Sequence, residues 1–247
     1  MARAPRAASS DFGPLWLQRG LAELLPGFPA VSLCVAFSGG ADSTALLAAL
    51  TQLPRRPAAL RVVHVDHGLQ AGSRRWSAHC RRVARRLQVP LTVRTARIVR
   101  RRGESLEAAA RAARYALLAA ELAPGEALLT AHHQDDQLET VLLQLLRGAG
   151  VAGLAAMPAV MPFGAGLLVR PLLRTSRAAL AGWLREQGLT WVEDPSNARL
   201  RLSQEHLECD RCALRFKIKD GFPILVVEEA ELPAGCESIS QLPCQKK

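Results

Sequence analysis

The 247-residue chain contains no lysine before Lys217, although arginine is abundant there. That absence excludes a Walker-type nucleotide site, whose GxxxxGK[ST] lysine reaches the terminal phosphates, and no such pattern occurs. It also excludes lysine Schiff-base chemistry over the same stretch. Aromatic residues are scarce, at 4%, so the core must be mostly aliphatic. No apolar run approaches the roughly 18 residues of a membrane span, and no membrane association is expected. The basic opening "MARAPRAASS" is followed by no apolar segment, so a secretory signal is not expected either. Six scattered cysteines are too few for a small secreted disulfide scaffold, and a reducing cytoplasm is the expected location.

Positive charge is plentiful. The formal charge is +10, with arginines clustered at Arg81–Arg82, Arg85–Arg86 and 100–102. Such a balance favours a polyanionic partner, nucleic acid first, although each cluster alone also reads as a solvated face. The basic residue type changes along the chain. After Arg215 there is no arginine, and Lys217, Lys219, Lys246 and Lys247 carry the charge. Exposed Arg and Lys are often exchangeable, so a junction between segments of different origin is expected near residues 198–206.

Periodicity predicts an alternation of elements. A short helix over 15–25 ends at Pro26-Gly27, and strands are expected at 31–37, 60–67, 90–98, 126–132 and 166–173. Helices are expected at 42–53, 74–88, 105–122 (capped by Ser105), 136–147 and 176–187. Strands alternating with helices imply an α/β fold, an open and mostly parallel sheet with helices on both faces. In such sheets ligands sit at the carboxyl ends of the strands.

"SLCVAFSGGADSTALLAAL", residues 32–50, is such an end. Gly39 and Gly40 permit a tight turn and close approach of a ligand. The next helix begins with unpaired N–H groups that attract phosphate. Asp42 would repel a bare phosphate, but makes sense if it holds magnesium that bridges to phosphate oxygens. The bland alternative is a tight turn capped by Asp42 or Ser43.

"SGGADS" after a strand resembles the loop of the PP-loop ATP pyrophosphatases, which cleave ATP between the α and β phosphates and adenylate a substrate. Further stretches narrow the resemblance: "VVHVDHGLQ" with His64, Asp66 and His67; "SLEAAARAARY" with Glu107, Arg111, Arg114 and Tyr115; "TAHHQDDQLE" with His132, His133, Asp135, Asp136 and Glu139; then "VRPLLRTSRAAL" and "WVEDPSN". In this order, over about residues 31–197, they look like the tRNA(Ile)-lysidine synthases. Each stretch also has a plain reading: Asp136 and Glu139 as a capping box, Arg111 and Arg114 as a solvated pair, His64 as a satisfied strand histidine, and Trp76 and Cys80 as packing residues.

The resemblance implies an adenine nucleotide α-hydrolase-like sheet. It also implies ATP held by Ser38, Gly39, Gly40, Ala41, Asp42 and Ser43, with Asp66 and His67 also on the nucleotide and magnesium on Asp42. His133, Asp135 and Asp136 would border free lysine and the reacting cytosine of an isoleucine tRNA with a CAU anticodon. Arg111 and Arg170 would stabilise charge on the transferring phosphoryl group. A tRNA thiolase of the same superfamily remains an alternative, although such enzymes use cysteines near the loop and this part has only Cys34 and Cys80.

The pattern departs after "EDPSN", and Gln70 stands where a basic residue is common. The family's "RNxLR"-type continuation and its tRNA-binding domains have no counterpart in "ARLRLSQEHLECDRCALRFKIKDGFPILVV". Residues 205–233 instead resemble the second half of a zinc-ribbon-like family related to tRNA methyltransferase activators, through Leu207, Cys209, Cys212, Phe216, the turn Asp220 to Pro223, and Glu229-Ala230. "LRFKI" and "PILVV" around Asp220-Gly221 read as a β-hairpin. Cys209 and Cys212 are half a zinc site, and zinc is not an expected cofactor. The expected organisation is a helical extension at 1–30, a catalytic domain at 31–198 and an appended segment at 199–247. A third reading is a non-catalytic module in which the hairpin docks a methyltransferase.

Overall fold

A computed structural model describes residues 12–66, 68, 73–100, 106–146, 156–192, 200–202, 206–209, 213–219, 222–223, 230–236, 238 and 241. It divides into two compact units, residues 1–192 and 193–247.

The first unit opens with α1 (Pro14–Leu24), β1 (Ser32–Ala36), α2 (Ala41–Thr51) and β2 (Ala59–Asp66). There follow α3 (Ser73–Arg86), β3 (Leu91–Thr95), α4 (Leu106–Glu121), β4 (Ala127–Leu129) and α5 (Gln134–Leu146). It closes with β5 (Val160–Phe163), β6 (Gly166–Val169) and α6 (Arg177–Glu186). Six strands form one sheet in the order β3-β2-β1-β4-β6-β5. All neighbours are parallel except β5, which runs antiparallel along β6. The expected fold class is therefore present.

Alternation along β1 sets the two layers. Leu33 and Val35 point into a core shared with α1, α2, α6 and the inner side of α3, while Cys34 faces a second core completed by Leu118 and Leu122 near the end of α4. The chain runs outward from β1 through β2 to β3, then returns to β4 on the other side of β1. Right-handed crossovers put helices from opposite directions of travel on opposite faces. The reversal leaves a crevice between the carboxyl ends of β1 and β4, where ligands of such sheets lodge.

α2 is buried on every side, from Ser43 to Leu50. It is apolar all round because β1 lies beneath it and α1 and α6 cover it. The loop before it is thus anchored to a helix with little room to move. At the opposite end of the sheet, Arg61 grips the Glu126 carboxylate with Nε and Nη2, at 2.7 and 2.5 Å, and tops Glu121 O at 2.7 Å. That pair ties β2 to the chain entering β4.

Two sequence expectations shift. β5 was not among the expected strands; a sheet edge tolerates its Pro162, since no partner needs the missing N–H. α5 starts at Gln134 rather than 136, so Asp136 is not the first cap. Its Oδ2 instead accepts the backbone N–H of His133 at 2.8 Å, the reaching-back half of a capping box. Ser105 lies outside the described residues.

The second unit is a small antiparallel sheet, β10-β9-β8-β7, built from β7 (Leu200–Leu202), β8 (His206–Cys209), β9 (Arg215–Lys219) and β10 (Phe222–Pro223). β9 and β10 pair as Lys219 with Phe222, the hairpin register expected around Asp220-Gly221. Cys209 is buried on β8. Cys212, the turn residues Asp220 and Gly221, and most of "PILVV" fall outside the described residues. Among the described residues, no helix is long and apolar enough to cross a membrane.

Candidate active site

The sequence folds a phosphate-sized cradle at the end of β1. Gly39 has φ +81°, a left-handed conformation, and a Cβ there would lie 2.8 Å from Cys80 Sγ and 3.2 Å from Trp76 Nε1. Only glycine fits both demands. Gly40 caps α2 without a side-chain bond; its carbonyl accepts Thr44 N at 3.0 Å and the Ser43 and Thr44 hydroxyls at 3.2 and 2.8 Å. Ser38 and Ser43 hydroxyls meet at 3.0 Å across the loop.

α3 buttresses this loop from behind. Trp76 Nε1 donates to Ser38 O. His64, buried in β2, lies 2.8 Å from Phe37 O through Nδ1 and 3.2 Å from Ser77 Oγ through Nε2, and the Ser77 hydroxyl reaches Asp66 Oδ2 at 2.9 Å. His64 is therefore a satisfied strand histidine, and burial holds its pKa below the ordinary value. Asp66 also accepts Gly68 N at 2.9 Å, shaping the turn after β2. His67 lies outside the described residues.

Asp42 sits in the first turn of α2, in the crevice between β1 and β4. Its Oδ2 is 3.6 Å from His133 Nε2 and its Oδ1 is 4.0 Å from Arg177 Nε. Asp42 Oδ1 is buried without a hydrogen-bond partner, as is His133 Nδ1. Nδ1 does lie 3.5 Å from Asp136 Oδ2, so His133 stands between two carboxylates. Burial drives the His133 pKa down, but Asp42, Asp136 and Asp135 together outweigh it, and the net shift is upward. Asp135 itself is exposed on the first turn of α5.

A cationic group lies beside this pair. Arg170 is 6% exposed; its Nη1 donates to Pro158 O at 2.7 Å, and its Nε has no hydrogen-bond partner. Arg111 and Arg114 both lean over Tyr115, at 5.0 and 5.4 Å from the ring centre. His132 Nδ1 lies 2.9 Å from Thr130 Oγ1. Burial and then the charges of Arg170, Arg114 and Arg111 push its pKa down to about 3, so it is neutral near neutral pH.

The structure brings together Asp42, His133 and Asp136 by direct contact, and His132, Arg111 and Arg170 through their mutual field. Sequence reading missed two members. Arg177 was in a quoted stretch, but nothing in the pattern aimed it at Asp42; the N-cap of α6 by Ser176 does so. His132 read as one of a pair, with no sign that three arginines surround it. Arg114 likewise gains weight, since its Nε is buried without a partner.

The donor set suits a polyanion and one hard cation. Two helix N-termini, those of α2 and α5, meet at the crevice and offer N–H groups to phosphate. The Asp42 oxygen that makes no hydrogen bond fits magnesium, which binds few protein carboxylates and completes its shell from phosphates and water. Among the described residues no cluster of three or more His, Cys, Asp or Glu side chains could hold a metal by itself.

Comparison with known proteins follows from this geometry. A family model described as PP-loop domain matches residues 15–213. The match runs past Asn197 into β7 and β8. A tRNA(Ile)-lysidine synthase of Pseudomonas aeruginosa is 52% identical over 191 residues, 76% of this chain and 43% of that protein. The one from Alkalilimnicola ehrlichii is 49% identical over 220 residues, 89% of this chain and 46% of that protein. The chain thus spans less than half the length of these curated relatives. A solved U34-tRNA thiolase of Methanococcus maripaludis superposes with a TM-score of 0.58 over 72% of this chain and 65% of that one, at 14% identity, a likeness of fold.

Proposed function

The chain belongs to the PP-loop family, and from that premise we propose that it activates the wobble cytidine of an isoleucine tRNA with a CAU anticodon and joins lysine to it. ATP is a substrate in this reading. The cytosine oxygen at carbon 2 attacks the α-phosphorus and pyrophosphate leaves; lysine's amine then attacks carbon 2 and AMP departs with that oxygen, leaving lysidine. The observation that carries the proposal is Asp42, with a buried oxygen that makes no hydrogen bond, facing His133 beside the glycine loop.

Each residue has a physical task. Ser38, Gly39, Gly40, Ala41 and Ser43 present backbone and hydroxyl donors to the departing pyrophosphate. Asp66, and His67 beside it, border the nucleotide at the end of β2. Asp42 would hold magnesium, which supplies positive charge against the phosphates. Arg111, Arg114 and Arg170 stand where negative charge grows on the transferring group. Asp135 and Asp136 offer carboxylates to the lysine ammonium. Its amine must lose a proton before attack, since its ordinary pKa is about 10.4. Those carboxylates are the proton acceptors on that side.

Thiolase chemistry fits less well. Cys34 and Cys80, the two cysteines of the first unit, are fully buried, and burial pushes both thiols up to about 12. A reactive sulfur needs the thiolate. In the proposed reading residues 31–198 carry the chemistry, 1–30 extend it, 199–247 form an appended segment, and the reaction takes place in the cytoplasm with the tRNA.

The test incubates the full chain with ATP, labelled lysine and a transcript of that tRNA. Label entering the RNA, absent when the wobble cytidine is replaced by uridine, is the expected result. ATP binding with no label in the RNA refutes lysine transfer by this chain.

A further inference from the structure

α3 presents two faces of different character. Its inner side carries Trp76, Ser77, His79, Cys80, Val83 and Ala84 against β2, β3 and the glycine loop. Its outer side carries Arg75, Arg81, Arg82, Arg85 and Arg86, all exposed. At 100° per residue these five fall within a contiguous arc, with Arg75, Arg82 and Arg86 nearly in line over about 16 Å. The helix contains no acidic residue, and none of the five takes part in an ion pair among the described residues. Two other basic side chains of this unit are paired, Arg61 with Glu126 and Arg94 with Glu121.

A merely solvated helix face carries mixed charges, because unbroken like charges at i, i+4 destabilise it. Five uncompensated arginines are retained at a cost, which an anionic partner would offset. Beside them lies a concavity of about 190 Å³ lined by Arg81, Ala84, Arg85, Val89 and Leu91. Guanidinium and aliphatic groups lining one concavity suit an unstacked base, the form in which RNA loops are recognised. The inner side of the same helix backs the nucleotide loop near Trp76, so RNA lying along the outer side would run from Arg75, at the crevice end of the sheet, towards Arg86 at the amino end of β3.

We propose that the arginine face of α3 is an RNA-docking surface, holding the sugar–phosphate backbone on Arg75, Arg81, Arg82, Arg85 and Arg86. This rests on the RNA-modifying reading above, and names the surface that delivers the substrate.

The test compares the full chain with two variants that lose the same charge. One is R81Q/R82Q/R85Q/R86Q. The other is R19Q/R55Q/R56Q/R185Q, which changes exposed arginines near the far end of α2, where Gln18 bonds Arg55 N and Gln52 bonds Gln187. Binding of the tRNA transcript is followed from 50 to 200 mM salt, with a fluorescent ATP analogue and thermal melting as controls for folding. The α3 variant should bind roughly tenfold more weakly, and its slope of log affinity against log salt should be shallower by about 3. The other variant should keep the parent slope, and both should bind nucleotide as the parent does. Equal losses in both variants, or no loss in either, overturn the surface while leaving lysine transfer intact. RNA binding that depends on α3, with no lysine incorporated by the parent chain, overturns the reaction and keeps the surface.

Discussion

His133 Nε2 lies 3.6 Å from Asp42 Oδ2, joining the helix that follows β1 to the one that follows β4. The other Asp42 oxygen, buried without a hydrogen bond, faces Arg177 Nε at 4.0 Å, so the carboxylate stands between two basic side chains. His133 raises its proton affinity in return. The contact is the point at which the glycine loop and the paired histidines become one site.

Asp42→Asn should therefore act on two observables at once. Pyrophosphate release from ATP is expected to fall at least about a hundredfold, the scale of losing one preorganised charge at such a site. The His133 imidazole, followed by NMR titration, should drop in pKa. Parental turnover in the variant, or an unmoved His133, contradicts the arrangement; an unchanged melting temperature shows that the fold survived.

Stability should decline on the acid side. His132 titrates at about 3 in the fold against about 6.5 in a free chain. Between those values the unfolded chain takes up a proton that the folded one refuses, so stability falls as pH drops from about 6.5 toward 3. Burial lowers His64 and His79 as well, in the same sense. His133 works oppositely: its contribution is complete below about 6.5 and fades as pH rises through its folded value. Melting curves of His132→Asn should close on the parent's, or pass above them, at pH 5 relative to pH 8. Those of His133→Gln should show their largest deficit at pH 5 to 6.

Gly39→Ala should cost about 2 kcal/mol from the left-handed backbone alone. The added methyl group must also displace Cys80 Sγ, 2.8 Å away, or Trp76. Because Trp76 holds Ser38 O, the loop moves with it, and nucleotide affinity should fall more than stability does. Chemical denaturation and nucleotide titration on the same preparation separate the two.

Glu126→Ala should do the reverse. It strips a 4% exposed carboxylate from Arg61 and from Ala123 N, at the end of the sheet away from the crevice. Breaking a buried pair costs about 3–5 kcal/mol; Arg61 is partly exposed, so about 2–3 kcal/mol is expected. Denaturant midpoints should move accordingly while nucleotide affinity per folded molecule stays constant.

The reading of the chain succeeded where local chemistry was decisive. Ser38 to Ser43 read as a tight strand-to-helix turn, and that turn is present, with Gly39 left-handed and Gly40 at the N-cap of α2. It failed where neighbours were decisive. β5 is a strand only because β6 offers it an edge, which Pro162 can occupy without a missing bond. Asp136 caps α5 from inside the helix, on the backbone N–H of His133, whose side chain faces Asp42 across the crevice.

By itself the sequence determined the alternation of elements, the parallel sheet and the position of the glycine loop, since hydrophobic period, glycine and proline act within a few residues. Only the tertiary structure decided which charges share a field. Arg177 beside Asp42, His132 kept neutral among Arg111, Arg114 and Arg170, and α3's outer arginines left uncompensated all depend on distances through space. Electrostatic energy falls with separation and not with position along the chain, so no local pattern could have revealed them.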